Sequence, residues 1–437
     1  MCKQYLRSSQ FAVALLATFG VAGAFADQAA TPAGSRSLFG SYVNYFEARS
    51  GHAKITSIQR QASAGSSEVL SAQNVESEGA TLPLFSYNVR AARDGLGHKG
   101  VIVGGSPFDD QASSQIPAKI IPVVLVLNRV ATGVDPTTGD LTTAPGHVVV
   151  DPRKPDNSCL SAPNNVPVQV MLQSPLFTPT NFSFGGTFLG HTQYEDAFMR
   201  AAFFSAVQDH PDAYHVLFAP VDLTQALVLN VPPSEGVAVT DASVLGGGFC
   251  TPLSLVNIDW LDALINDQVL PAYASKGVTP ATLPIFFLYD TFLTGGNPVL
   301  LNCCIGGYHS FGGFPTPAQA YSVVDFDVTG IFGSFWPDSA IGAHELGEFI
   351  NDPWGINQVP PWGGTGQVAG CQSNLEVGDP LTGTSVTPVT MPNGFTYHLQ
   401  ELAFFSWFFG GPSLGVNGWF SNNGTFTTDA GTPCLLN

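Results

Sequence analysis

The stretch AKIIPVVLVLN, residues 118–128, constrains this chain more than any other. It is a near-continuous run of β-branched and aliphatic residues. It lacks the alternation of a half-exposed strand, so it predicts a buried one. Comparable strand-like runs recur: GHVVVDP (146–152), VPVQVMLQ (166–173), YHVLFAPV (214–221), ALVLNV (226–231), LPIFFLYD (283–290) and AYSVVDFDV (320–328). Three stretches carry helical spacing instead: 192–208, 257–275 and 338–350. Strands and helices interleave without a regular βαβ rhythm, and no repeat of 20–50 residues appears, so the expected class is α+β. The aromatic, Gly/Asn-rich segment from Tyr397 onward reads as a final helix or strand followed by hairpins.

The first 26 residues read as a cleaved signal peptide. Lys3 and Arg7 precede a short apolar run that ends in Ala24-Phe25-Ala26. Residues 27–110 are polar and weakly periodic and read as an irregular N-terminal appendage or a propeptide, leaving 111–437 as the main domain. No later stretch is apolar enough for a membrane span. The expected localisation is secreted or periplasmic.

The net charge of −18, with 15 Lys and Arg against 33 Asp and Glu, excludes nucleic acid as a partner. Six cysteines follow the expected cleavage point: Cys159, Cys250, Cys303, Cys304, Cys371 and Cys434. In an exported chain an even number favours disulfides. Cys303 and Cys304 are adjacent, and pairing them together would strain the peptide, so each is expected to bond elsewhere.

The chemistry concentrates in GAHELGEFINDP, residues 342–353. At 100° per residue, Leu346, Phe349 and Ile350 share one arc, while His344, Glu345 and Glu348 gather on the other. His344 and Glu348 stand one turn apart and can reach one ion, with Glu345 on their flank. The competing reading is a solvated polar face. Gly342 and Gly347 each weaken the helix by about 1 kcal/mol relative to Ala, which suggests that another backbone passes close by. Downstream, SNLEVGDPL supplies Glu376 as a third ligand and Asp379 to hold the free N–H of His344. His398 and the Tyr308-His309 pair are candidates for substrate or oxyanion contacts.

The combination HELGE, NDP and LEVGDP resembles the zincin metallopeptidases, in particular those whose third ligand is a Glu on a following helix. It resembles more closely a set of exported proteins with H-E-x-x-E followed by NDP. The plant exordium-like phosphate-induced proteins are similar in the same stretch. The similarity spans about residues 300–405, and it departs at position 348, where the zincin pattern has His and this chain has Glu. The resemblance implies a zincin-like mixed sheet with an active-site helix, and an exported hydrolase acting on polypeptides. Its Zn²⁺, or another divalent metal, would be held by His344, Glu348 and Glu376. Glu345 would be the general base, and Tyr397 or His398 would stabilise the oxyanion. The alternative is a non-catalytic extracellular protein on the same scaffold, with a structural metal or none.

Overall fold

The computed structural model describes residues 81–434 apart from 110–111, 136–139, 313–317, 334 and 430–433. Its first elements are an antiparallel hairpin, β1 (Leu84–Arg90) and β2 (Gly97–Val103). Strand β3 (Ser113–Val134) contains the whole 118–128 run and returns through β4 (Leu141–Val150). Then come α1 (Pro167–Leu172), the hairpin β5 (Thr180–Phe184) and β6 (Thr187–Thr192), and helices α2 (Tyr194–Ala202) and α3 (Phe204–Val207). Strands β7 (His215–Leu223), β8 (Leu227–Val231), β9 (Gly236–Val239) and β10 (Leu253–Asn257) follow. Helix α4 (Ile258–Leu264) runs on through a π turn into α5 (Leu270–Tyr273). The last sheet strands are β11 (Leu283–Tyr289), β12 (Thr291–Thr294), β13 (Cys303–Ile305), β14 (Gly307–Gly312) and β15 (Gln319–Phe326). Beyond them lie α6 (Ala340–Asn351), the hairpins β16 (Gln358–Thr365)–β17 (Val368–Asn374) and β18 (Val386–Thr390)–β19 (Thr396–Gln400), and α7 (Phe405–Phe409).

Eleven of these strands make one mixed sheet. β3 is long enough to serve two sets of neighbours. Its first half pairs in parallel with β7 and β11, and its second half pairs with β8 in parallel and β4 antiparallel. Ile120, Ile121, Val123, Leu125 and Leu127 are all buried, which is why the run shows no alternation. Past β11 the order continues to β15 and ends at β14, an antiparallel edge. Helix α6 packs on β14 and β15, with β2, β19 and α2 also against it, and every one of its residues is buried.

The expected helices at 192–208, 257–275 and 338–350 are present, and no described helix is long and apolar enough to cross a membrane. VPVQVMLQ is helical, not extended. Pro167 sits at the first helical position, where its missing N–H is harmless, and one face of the turn buries Val168, Val170 and Met171. The expected signal peptide and residues 27–80 lie outside the described residues. The described part of the expected appendage, however, is built into the core: Phe85, Tyr87, Ile102 and Val103 are buried, and Asn357 bonds both the N–H and the C=O of Val101. The main body therefore begins well before residue 111.

Three cysteine pairs stand at disulfide distance: Cys159–Cys250, Cys303–Cys304 and Cys371–Cys434. The adjacent pair corrects the expectation of separate partners. That expectation assumed a trans peptide, with Cα atoms 3.8 Å apart. Here the two Cα atoms are 3.0 Å apart and the two sulfurs face each other.

Candidate metal centre

Helix α6 positions the first three side chains. It starts after Ser339 and stops at Asp352, the residue before Pro353. The neighbours of its glycines are side chains rather than a passing backbone. A Cβ at Gly342 would meet Met171 and Leu176, and one at Gly347 would meet Leu402 and the Glu195 carboxylate. The polar face is not solvated. His344, Glu345 and Glu348 are 5%, 4% and 4% exposed, which removes the bland reading of that face.

Glu376 and Asp379 arrive from the loop that leaves β17. Glu376 lies in that loop and not on a helix, and Asp379 opens a short 3-10 turn. The backbone N–H groups of Gly378 and Asp379 donate to Glu348 Oε1 at 3.1 and 3.3 Å. Gly378 has to be glycine, since a Cβ there would stand 2.6 Å from the His344 ring. The loop thus lies flat against the imidazole and fixes one oxygen of Glu348.

The fourth element is the edge strand β14, which contributes His309. Its Nδ1 faces Glu345 Oε2 at 3.7 Å and Glu348 Oε2 at 3.6 Å, and its Nε2 faces Glu376 Oε2 at 3.8 Å. Across the cluster, His344 Nε2 lies 3.1 Å from Glu348 Oε1 and 3.5 Å from Asp379 Oδ1. Two groups with ligand spacing result, His309–Glu348–Glu376 and His344–Glu345–Glu348, and Glu348 belongs to both. His309 was expected only as a substrate or oxyanion contact. The available signal was its glycine setting: a Cβ at Gly306 would strike Ile341, and one at Gly307 would come 2.9 Å from Glu345 Cγ.

Orientation of His344 is set by Gln400. The Gln400 side-chain N–H donates to Gly378 O at 2.7 Å, so its Oε1 faces His344 Nδ1 at 3.2 Å and accepts the proton there. Nε2 is then the nitrogen turned toward Glu348. Asp379, expected on the opposite nitrogen, instead shares the Nε2 side. Its oxygens accept from the Gln367 and Gln372 amides.

Tyr397 and His398 are engaged elsewhere. Tyr397 donates to Val170 O at 2.6 Å and accepts from Asn393 at 2.7 Å. His398 Nδ1 pairs with Asp338 Oδ2 at 2.6 Å, ahead of the helix. The structure brings together His309, His344, Glu345, Glu348, Glu376 and Asp379, and leaves these two outside.

The electrostatics are those of an anionic hole. Among the described residues, the ion-pair partners of these carboxylates are the two imidazoles. Burial raises the Glu345 carboxyl to about 8 against the opposing pull of His344. Burial also lifts Glu348, and it lifts Glu376 well above the carboxylate range, with Glu348, Asp352, Asp379 and Glu345 all adding repulsion. For His344 burial disfavours the charged ring, but Glu348 and Asp379 outweigh it and hold the ring well above its ordinary value. His309 Nε2 and Glu376 Oε2 are buried without any hydrogen-bond partner. Their 3.8 Å separation is too long for a hydrogen bond. Ligand atoms about 2.1 Å from a tetrahedral zinc stand about 3.4 Å from one another, close to the spacing found here. The donor set therefore fits a divalent cation. Comparisons with family models, with curated proteins and with solved structures find no match to this chain.

Proposed function

We propose that the protein is an exported, zincin-like metal-dependent hydrolase that cleaves polypeptides. The observation that carries this reading is the buried pair of unpartnered ligand atoms, His309 Nε2 and Glu376 Oε2, beside Glu348 and His344. His309, His344, Glu348 and Glu376 would hold one divalent cation, zinc being the metal that mixed imidazole and carboxylate sets commonly take. Bound there, the cation supplies Lewis acidity toward a carbonyl and makes water a better nucleophile near neutral pH. His309 stands in for the imidazole missing at position 348. The Gly378 and Asp379 N–H groups hold Glu348 Oε1, so that Oε2 faces His309. Gln400 keeps the proton of His344 on Nδ1. Glu345, beside both imidazoles, takes the proton from the attacking water and returns it to the leaving amine. The three cysteine pairs support the exported reading.

A second reading, a structural ion in a non-catalytic extracellular protein, is favoured by the burial of the cluster, with His344, Glu345, Glu348 and Glu376 only 4–6% exposed. Glu345→Gln separates the two. It keeps the side chain's size but removes the basic oxygen. On the hydrolase reading, metal content stays at the wild-type level while cleavage of a mixed peptide library falls at least about 100-fold. A variant with normal metal and near-normal cleavage removes Glu345 from the mechanism. A wild type that holds the ion and cleaves nothing supports the structural-ion reading.

A further inference from the structure

A second set of buried acids lies away from the histidine cluster, where the neighbouring parallel strands β11 and β15 end. Asp290 follows β11, Asp325 and Asp327 close β15, and Asp156 comes from the loop after β4. Outer carboxyl ends of parallel strands are where open sheets most often bind ligands. The side chains cross between the strands. Asp290 Oδ1 accepts from Val328 N at 2.9 Å, beyond the end of β15, and Asp325 Oδ1 accepts from Thr291 N at 3.0 Å, beyond the end of β11. Asp156 and Asp290 offer oxygens within 4.8 Å of one another, and Asp156 Oδ2 also accepts from Tyr289 at 2.5 Å. Cys159 lies within the same distance, but its sulfur is paired with Cys250 and is no thiolate ligand.

Acidity alone would not make a site. The independent observation is that Asp290 Oδ2 and Asp325 Oδ2 are buried with no hydrogen-bond partner, on residues 1% and 0% exposed. The first oxygen of each carboxylate is tied to the end of the other strand, and the second is left without a donor. A buried acceptor with no donor is costly, more so when charged, and two of them call for compensation. Burial, with the charge of Asp327 next, holds both well above the ordinary carboxylate range. Asp327 adds charge beside them, with its Oδ1 bonded to Thr329.

We infer that Asp156 and Asp290, with Asp325 and Asp327 beside them, form a binding site for a hard divalent cation, calcium by preference. The donors are all oxygen, without the imidazole or thiolate that would select zinc, and carboxylates from several segments suit the flexible coordination of calcium. Asp156 is half-buried and belongs to a loop, which provides the route of entry. The ion would tie that loop to the ends of β11 and β15. This inference does not rest on the hydrolase reading.

The test is calorimetric titration of the whole protein with CaCl₂ after EDTA treatment, beside Asp156→Asn, Asp325→Asn and Glu376→Gln. The expected result is one calcium per chain in wild type and in Glu376→Gln, and affinity at least about ten-fold weaker in Asp156→Asn and in Asp325→Asn. Asp156→Asn is on a partly exposed loop and should fold even if Asp325→Asn does not. The inference is overturned if wild type takes up no calcium, if Asp156→Asn binds as wild type does, or if Glu376→Gln abolishes uptake, which would put the ion in the histidine cluster.

Discussion

Glu401 and Glu376 are both buried glutamates, 0% and 6% exposed, and the protein treats them in opposite ways. Glu401 sits in a ring of donors. Ser385 and Thr425 hydroxyls donate to Oε2, while the Ser421 hydroxyl and the Asn423 and Thr425 N–H groups donate to Oε1, at 2.6–3.1 Å. Its charge is matched within the fold. Glu376 Oε2 has no donor, and its neighbours are other carboxylates and the His309 ring. Burial of an acid is thus compatible with a purely structural role, and the informative feature is whether the fold supplies donors. Where it does, the carboxylate braces the chain. Where it supplies more carboxylates and two imidazoles, the cluster could hold a cation.

The strongest way to break this comparison is to remove an imidazole. His309→Ala should lower metal content from one ion per chain to background, and His344→Ala should do the same, because losing a ligand leaves too few contacts to hold the ion against water. Elemental analysis after dialysis decides it. If His309→Ala retains the ion and His344→Ala does not, the site is the narrower set His344, Glu348 and Glu376 read from the sequence.

How much of this was legible depends on how far along the chain each contact reaches. The faces of α6 follow from residue spacing alone, so His344, Glu345 and Glu348 could be grouped directly. Glu376 and Asp379 share one short motif with the glycine that accommodates the His344 ring. For His309 the glycines at 306 and 307 mark a close approach but not what the ring faces. Its direction is set by pairing opposite Ser322 in β15, a long-range register that GYHSFG does not encode. Gln400 was invisible for the same reason: its role depends on β19 lying against α6. Strands β11, β15 and the middle of β3 were readable because burial on both faces leaves unbroken apolar runs. VPVQVMLQ misled because its β-branched residues suit a strand, while the packing of Val168, Val170 and Met171 selects a helix.

A smaller effect sharpens the comparison in stability. Glu401→Ala leaves its ring of donors without an acceptor and should destabilise the protein by about 3 kcal/mol. Glu376→Gln in EDTA-treated protein replaces a carboxyl crowded by other acids with a neutral amide of the same size, and should leave stability unchanged or raise it by up to about 1 kcal/mol. Denaturant unfolding of both variants checks this. Equal losses would show that Glu376, too, is held by the fold, and the case for a cation there would weaken.

A further expected effect is a slope with pH. Glu345 titrates at about 8 in the fold against an ordinary 4.5. Between those values the unfolded chain has released its proton and the folded protein keeps it. The folded state then binds more protons, so stability falls as pH rises. Glu348 and Glu376 are raised as well and act in the same sense. His344, held above its ordinary 6.5, contributes stability below that value, and loses it as pH rises through its folded pKa. All four groups agree in sign. The EDTA-treated protein should therefore melt at a higher temperature at pH 5 than at pH 8. With zinc the slope should reverse, because the ion takes the carboxylates deprotonated and replaces their protons. Thermal melts at both pH values, with and without zinc, read this directly. The same slope in both conditions would mean that protons, not a cation, balance the charge around Glu376, and the contrast with Glu401 would reduce to protonated carboxyls against a hydrogen-bonded carboxylate.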